Sequence, residues 1–291
     1  MTPLDLVELT PLINRTSGRP DIAVGLIDGP VVMNHPELAS QHIRELRGNG
    51  GGTCTQVNSI ACLHGTFVAG ILNAKRGSSA PAICPDCTLL IRPVFTESTG
   101  GTIQTPSTTP RELAAAIIEC VDAGARCINL SLALAQPSSR DERELEQVLD
   151  HATRRGVIIV AAAGNQGMLG STAITRHPWV IPVVACDAQA RPISESNFGS
   201  SVGRRGLRAP GGAITSLGSA GQPLTLSGTS VATPFVSGTI ALLWSAFPKA
   251  TSTQVKFAVT QAYAPKRVMV VPPLLNAWAA YQFMLTAQVR R

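Results

Sequence analysis

The stretch that decides the fold is DIAVGLIDGPVVMNHPEL, residues 21–38, in which an apolar run ends on a single carboxylate. The run 22–27 is short and rich in β-branched residues, and Asp28 is followed by Gly29 and Pro30. Such a run, closed by Gly and Pro, predicts a buried strand of a parallel sheet with a sharp turn at its end. Asp28 would then lie at the carboxyl edge of the sheet, where open α/β folds build their sites. An Asp that only caps the turn is the alternative interpretation.

Strand-like and helix-like segments alternate along the rest of the chain, which is typical of an α/β protein with a parallel sheet covered on both faces. Strands are predicted at residues 22–27, 88–94, 126–132, 157–162 and 180–185. Helices are predicted directly after His64 and over residues 110–124, 139–156, 228–247 and 274–287.

Length and composition indicate one large domain. The chain has 291 residues, 44% of them hydrophobic, which is enough to bury a sizeable core. The formal net charge is +6, but only 4% of the residues are aromatic and no dense Lys/Arg run is present, so nucleic acid is not expected as a partner. The nearest approach to a basic patch, which we interpret as a solvated loop, is Arg204, Arg205 and Arg208.

The amino terminus, MTPLDLVELTPLINRTSGRP, carries Asp5 and Glu8 and lacks a basic segment followed by an apolar core, so it does not resemble a secretory signal. No stretch approaches the ~18 consecutive apolar residues of a transmembrane helix. We therefore expect no membrane partner and a cytoplasmic protein. Residues 1–20 are predicted to form a short extension, and residues 21–291 the domain.

The seven cysteines include one CPDC pair, Cys84 and Cys87. Free thiols are the favoured interpretation. One or two disulfides, or a zinc site built from the CPDC pair with Cys54 and Cys62, are the alternatives, although the spacing of the latter two fits a structural zinc site poorly. The cysteines in apolar contexts are expected to be core residues: Cys120, Cys127 and Cys186.

Three further segments have the composition of active-site turns rather than of buried core. In CLHGTFVAGIL, His64 comes beside small residues at the predicted start of a helix. In LTLSGTSVATPFVSG, Ser230 lies among small residues where backbone N–H groups at a helix start favour an anion. In VIIVAAAGNQG, a buried strand runs into Gly164 and Asn165, whose side-chain N–H can meet an oxyanion. Taken singly, each has a structural alternative: a core His, a helix N-cap Ser and a turn Asn.

Together these segments resemble the subtilisin-like serine proteases, the subtilases. The chain order Asp, His, Ser, with an Asn between His and Ser, is the subtilase order. HGTFVAG and GTSVATPFVSG resemble the two most specific motifs of the family, and AAAGN and APGG fit as well. The resemblance covers about residues 20–265. It implies an α/β, three-layer subtilisin-like fold with a central, mostly parallel sheet flanked by helices.

The resemblance also implies a serine endopeptidase that hydrolyses peptide bonds through an acyl-enzyme. Asp28 would orient His64, and His64 would take the proton of the nucleophile Ser230. Asn165 and the backbone N–H of Ser230 would hold the oxyanion. No metal or organic cofactor enters this chemistry, and the expected partner is a peptide or protein substrate. The residues expected to line the substrate cleft are Ser131, Leu132, Ala133 and Gly164.

The sequence departs from the common family pattern after Asp28, where Gly-Pro-Val replaces Ser or Thr and Gly. DGPV followed by HPEL resembles the peptidases that trim leaders from ribosomally made peptides, including the cyanobactin maturation proteases. The short spacing from Asp28 to His64 leaves no room for the insertion of the macrocyclising members, which favours hydrolysis. Ala133 and Leu134 replace glycines of the substrate-lining strand and should narrow its pockets.

The leading hypothesis is an intracellular serine endopeptidase, with a dedicated precursor peptide as one candidate substrate. The short segment before the first strand, in place of a folding prodomain, favours an intracellular enzyme. A general degradative peptidase and a peptide-binding pseudoprotease are the alternatives. An esterase is disfavoured, because its Ser usually lies in a G-x-S-x-G elbow with the order Ser, acid, His.

Overall fold

A computed structural model describes residues 1–46, 54–56, 58–95, 97, 108–132, 139–261 and 270–289. Two residues of the predicted substrate-lining strand, Ala133 and Leu134, lie outside the described residues. Their expected effect on the substrate pockets therefore stays a prediction.

The centre of the molecule is a parallel sheet of seven strands in the part of the chain that the structure describes. The strands are β1 (Ala23–Asp28), β2 (Ile43–Glu45), β3 (Thr88–Pro93), β4 (Cys127–Leu130), β5 (Ile158–Ala162), β6 (Ile181–Cys186) and β7 (Leu207–Pro210). Their spatial order is β2-β3-β1-β4-β5-β6-β7. An antiparallel hairpin is formed by β8 (Ile214–Leu217) and β9 (Pro223–Leu226). The five predicted strands are present. The strands that were not predicted are β2, β7, β8 and β9, each three or four residues long.

Helices cover both faces of the sheet. They are α1 (Pro3–Leu6), α2 (Thr10–Ile13), α3 (Ile60–Asn73), α4 (Pro110–Asp122), α5 (Ser139–Arg154), α6 (Ala173–Arg176), α7 (Ser200–Arg205), α8 (Thr229–Ala246), α9 (Ser252–Thr260) and α10 (Ala277–Val289). The helices α3 and α8 pack together, as do α4 and α5. The prediction of a three-layer α/β fold is confirmed. Among the helices described, none has both the length and the apolar character needed to cross a bilayer.

The strands read as continuous apolar runs because each strand buries residues on both faces. In β1, Val24 and Leu26 belong to the core shared with α3 and α8. Ala23 and Ile27 belong to the core shared with α4 and α5. This two-sided burial is what made the strands recognisable in the sequence.

Residues 1–20 contribute to the same core as the sheet. Val7, Leu9 and Leu12 are fully buried and belong to the core cluster that contains Ile22. The carbonyl of Val7 accepts a hydrogen bond from the N–H of Ala277, at the start of α10. The division into an extension and a domain stays a prediction, but the first residues of the chain pack against its last helix.

The expectation of free cysteines is wrong for one pair. Cys54 and Cys62 form a disulfide, with their Cα atoms 5.5 Å apart. Their sulfurs and a carboxylate oxygen of Glu97 lie close enough together to hold a metal ion, and no other His/Cys/Asp/Glu cluster in the described ranges does so. Both sulfurs are in the disulfide, however, so neither can act as a thiolate ligand. The free cysteines, all buried, are Cys84, Cys87, Cys120, Cys127 and Cys186.

The disulfide should contribute to stability because it constrains the unfolded chain, although the loop that it closes is short. The double variant Cys54→Ala, Cys62→Ala is expected to lose about 2–3 kcal/mol of unfolding free energy. Urea denaturation with and without reductant measures this. The parent protein should lose a similar amount in reductant, whereas the double variant should not respond. Equal stability of the two proteins without reductant would contradict the prediction.

Candidate active site

Asp28 is the last residue of β1 and is fully buried. Its Oδ1 accepts a hydrogen bond from the backbone N–H of Gly29 at 2.6 Å. The same oxygen lies 2.7 Å from Nδ1 of His64. The two interpretations of Asp28 are therefore compatible, since the carboxylate caps the turn and contacts the imidazole with one oxygen.

His64 lies in the second turn of α3, and the prediction that the helix begins after it is wrong. The helix begins at Ile60, and Ser59 is its N-cap, with Oγ accepting from the N–H of Cys62 at 3.2 Å. Ser59 Oγ also donates to Oε1 of Glu97 at 3.1 Å. The start of the helix is thus held by a cap and by a carboxylate from a distant part of the sequence.

The imidazole of His64 connects Asp28 to Ser230. Its Nε2 lies 3.0 Å from Oγ of Ser230, and the side chain is 24% exposed. The carboxylate of Asp28 has no proton to donate when ionised, so the proton of the neutral ring lies on Nδ1. Nε2 is then the acceptor for the Ser230 hydroxyl.

Burial and charge act on the pKa of His64 in opposite directions. Burial of the imidazole lowers its pKa, but the charge of the Asp28 carboxylate and its hydrogen bond outweigh this, so the pKa lies above the ordinary value. The arrangement therefore favours the imidazolium, the state that forms when His64 accepts a proton from Ser230.

Ser230 is the second residue of α8, and the backbone of this helix is unusual just beyond it. Pro234 lies in the second turn of α8. Because proline has no N–H, it cannot donate to the carbonyl four residues earlier, which is that of Ser230. Ser131 Oγ donates to this carbonyl instead, at 3.0 Å. Ser131, predicted to line the cleft, therefore also fixes the backbone of Ser230.

A row of buried polar side chains holds Ser131. Asn129 Nδ2 donates to Ser131 Oγ at 2.7 Å, and Ser237 Oγ donates to Asn129 Oδ1 at 2.7 Å. Asn129 and Ser237 are both fully buried. Sequence reasoning missed both, although an Asn inside the apolar strand CINL is a signal, because a buried amide needs partners.

Asn165 follows the end of β5 and is held by Thr229, the residue before Ser230. Its Oδ1 accepts from the backbone N–H of Thr229 at 2.8 Å and from Thr229 Oγ1 at 2.9 Å. A backbone N–H can only donate, so this contact assigns the amide oxygen and directs Nδ2 away from Thr229. The Asn165 side chain is exposed, and its Nδ2 is available to donate to a ligand.

Gly164 supports the same contact from the other side. Its N–H donates to Thr229 Oγ1 at 3.2 Å, and its φ of +105° is one that glycine adopts readily. Thr229 is fully buried and joins Gly164 to Asn165, and it too was missed in the sequence. Leu132 is buried in the core shared with α4 and α5, and its role in lining the substrate cleft stays a prediction.

The model of the subtilase family matches residues 19–271. The chain belongs to the subtilase family. This confirms the identification made from the motifs, including the assignment to a family of subtilisin-like serine endopeptidases. The thermophilic serine proteinase of Bacillus sp. is 32% identical over 234 residues, which cover 79% of this chain and 54% of that protein. This subtilase spans about half the length of the first curated relatives that it matches.

Solved structures of peptide maturation proteases share the fold of this subtilase. An alanine variant of the protease domain of PatA is 30% identical, with a TM-score of 0.82 over 93% of this chain and 97% of that one. The prenylagaramide maturation protease PagA is 30% identical, with a TM-score of 0.81 over 94% of this chain and 98% of that one. These similarities confirm the predicted resemblance of the chain to the maturation proteases.

The hydrogen bond from Ser131 to the Ser230 carbonyl yields a stability prediction. Ser131→Ala leaves that carbonyl without its donor, which should lower the unfolding free energy by about 1–3 kcal/mol. Adding Pro234→Ala supplies an N–H at the position where a helix would donate to the same carbonyl, so the double variant should regain part of the loss. The rest should remain, because Asn129 Nδ2 also loses its acceptor in Ser131→Ala. Denaturation of the parent, both single variants and the double variant forms a double-mutant cycle. Strictly additive effects would contradict the account.

Proposed function

We propose that this subtilase is a serine endopeptidase that hydrolyses peptide bonds through an acyl-enzyme. The observation that carries the proposal is the hydrogen-bonded row in which His64 lies 2.7 Å from the buried Asp28 and 3.0 Å from Ser230. In the proposed roles, Ser230 is the nucleophile, His64 the general base and acid, and Asp28 the group that orients His64. A pseudoprotease has no need of this row together with the amide of Asn165.

In the first step, Ser230 Oγ attacks the carbonyl carbon of the scissile bond while Nε2 of His64 takes its proton. The pair Asp28 and imidazolium is stabilised because the carboxylate lies beside the ring. His64 then returns the proton to the leaving amine as the C–N bond breaks. Water attacks the resulting ester in the same way, with His64 as base, and frees Ser230.

Two donors are proposed for the oxyanion that forms in each half of the reaction. The backbone N–H of Ser230 lies in the first turn of α8, where N–H groups lack partners within the helix. Asn165 Nδ2 is the second donor, oriented by the contact of its Oδ1 with Thr229. Removing such a donor typically costs about 10²–10³ in kcat.

We further propose that the substrate is a ribosomally made precursor peptide, from which the enzyme removes a leader. The support is the similarity to PatA and to the prenylagaramide maturation protease PagA over nearly the whole chain. A cytoplasmic location, where ribosomal products first appear, is part of this proposal.

Digestion of a proteome-derived peptide library, read by mass spectrometry, tests both levels of the proposal. Cleavage that disappears in Ser230→Ala is expected, and it should fall at few sites if the enzyme is dedicated to a precursor. Labelling by a fluorophosphonate, absent in Ser230→Ala, reports the reactive serine independently of the substrate. Cuts in many unrelated sequences would contradict a dedicated substrate. The absence of both cleavage and labelling would contradict the peptidase activity itself.

The pH dependence follows from the pKa of His64, which the Asp28 carboxylate raises above the ordinary value of 6.5. His64 is a base only when neutral, so kcat/KM should fall as the pH falls through this pKa. Asp28→Asn removes the raising charge, so the acid limb should move to lower pH, and the rate should fall by about 10⁴.

The control for this profile is Asp21→Asn, which removes an exposed carboxylate paired with Arg19 and should leave the acid limb in place. An acid limb that stays at the same pH in Asp28→Asn would argue that Asp28 does not govern His64.

A further inference from the structure

A cavity of about 600 Å³ lies beside α7, and the charged side chains among its described lining residues are all positive: Arg176, Arg204 and Arg205. The prediction of a loop is wrong for Arg204 and Arg205, because they end the helix α7, which lines this cavity. Arg204 is exposed to solvent as predicted, and Arg205 is partly buried. Arg208 lies apart from them on β7. No carboxylate is present among the described residues that line the cavity.

Two buried donors at this cavity have no hydrogen-bond acceptor among the described residues: Nε of Arg205 and Oγ of Ser201. The guanidinium of Arg205 is held in place, since its Nη2 donates to the carbonyls of Arg176 at 2.7 Å and Thr175 at 3.3 Å. A buried donor left without an acceptor costs about 1–3 kcal/mol. An anion or a water molecule at the cavity would supply the missing acceptors.

The positive charges near the cavity destabilise one another. Burial lowers the pKa of Arg205, and the charge of Arg204 lowers it further. Burial lowers the pKa of Lys256 to about 8, with a further contribution from the charge of Arg205. A bound anion would relieve this repulsion, and the planar guanidinium is well matched to a carboxylate.

The cavity is connected to the candidate active site through the backbone. The segment after Asn165 runs directly to the cavity wall at residues 169–171. This segment is tied to the one that leads into α7, because Phe198 N–H donates to the carbonyl of Met168 and Gly170 N–H donates to that of Phe198, at 2.9 and 2.8 Å. Asn165 and Ser171 are six residues apart, and six residues of extended chain span at most about 20 Å, so this part of the cavity wall lies within about 20 Å of Asn165.

We propose that this cavity is a subsite that binds an Asp or Glu side chain of the peptide substrate, within about six residues of the cleaved bond. The inference rests on the proposed peptidase function and adds a preference for acidic sequences to it. Arg205 and Arg204 are the side chains that recognise the carboxylate, and the hydroxyl of Ser201 is the neutral donor beside them.

The test uses quenched fluorescent peptides built on a sequence cut in the library digestion, in which a single Glu or its matched Gln is moved from two to six residues on either side of the bond. At one position, Glu should raise kcat/KM by about tenfold over Gln, chiefly through KM. Arg204→Gln and Arg205→Gln should each bring this ratio close to one, chiefly by raising KM for the Glu peptide. Arg205→Lys, which keeps the charge, reports on Arg205 if the Gln variant does not fold.

The matched control is Arg44→Gln, which removes an exposed arginine on β2, at the opposite edge of the sheet from β7. This variant should keep the Glu preference of the parent. A Glu-to-Gln ratio of kcat/KM near one at every position would overturn the proposal. So would a ratio that stays at the parent value in Arg204→Gln and in the Arg205 variants that fold.

A binding measurement separates this proposal from the proposed function. Fluorescence anisotropy of the labelled Glu and Gln peptides with Ser230→Ala needs no turnover, and tighter binding of the Glu peptide is expected even if no hydrolysis is found in the parent. Addition of sulfate or phosphate should weaken binding of the Glu peptide by competition. Binding of these inorganic anions with no difference between the two peptides would overturn the assignment to a substrate carboxylate.

Discussion

The close approach of β1 to α3 is the constraint on which the rest of the site depends. A Cβ atom on Gly29 would lie 1.9 Å from the carbonyl oxygen of Ala61 on α3, and one on Gly65 would lie 2.4 Å from the carbonyl oxygens of Gly29 and Pro30. Only glycine at both positions allows the end of the strand to rest against the helix. This contact brings Asp28 within hydrogen-bond distance of His64, since each residue adjoins one of the two glycines.

The strands β1, β4 and β5 then supply one polar contact each to the region around the start of α8. From β1, Asp28 reaches Ser230 through His64. After β4, Ser131 holds the Ser230 carbonyl that Pro234 leaves without a helical donor, and after β5 Asn165 is fixed by Thr229. Parallel strands end at the same edge of a sheet, so neighbouring strands can serve one helix end in this way.

The fold and the reactive residues were predictable from the sequence because both have local signals. Apolar runs closed by glycine predict buried strands, and small residues around Asp28, His64 and Ser230 indicate a backbone that other chain segments approach closely. The supporting residues lack such signals. Asn129 and Thr229 become meaningful only when β4, β5 and α8 are brought together, and no local pattern specifies which distant atom a buried amide or hydroxyl will contact.

The errors have the same origin. The start of α3 was placed too late because its N-cap Ser59 is held by Glu97, which lies far along the chain. Cys54 and Cys62 flank Ser59, and their pairing brings together two residues that the sequence pattern did not join. The interpretation of Arg204 and Arg205 as a solvated loop followed from composition alone, which does not report that another arginine lines the same cavity.

The buried polar groups around Ser230 differ from the carboxylate of Asp28 in how fully they are hydrogen-bonded. Asn129, Ser131 and Thr229 are buried and hydrogen-bonded, which fixes the backbone and the amide beside Ser230. Oδ2 of Asp28 is buried without a hydrogen-bond partner in the described part of the chain. Because no such donor disperses the charge at Oδ2, the carboxylate acts more strongly on the adjacent imidazole, where positive charge forms in the proposed reaction. At the arginine-lined cavity the unpaired groups are donors instead of acceptors, so they favour a negatively charged group on the bound peptide.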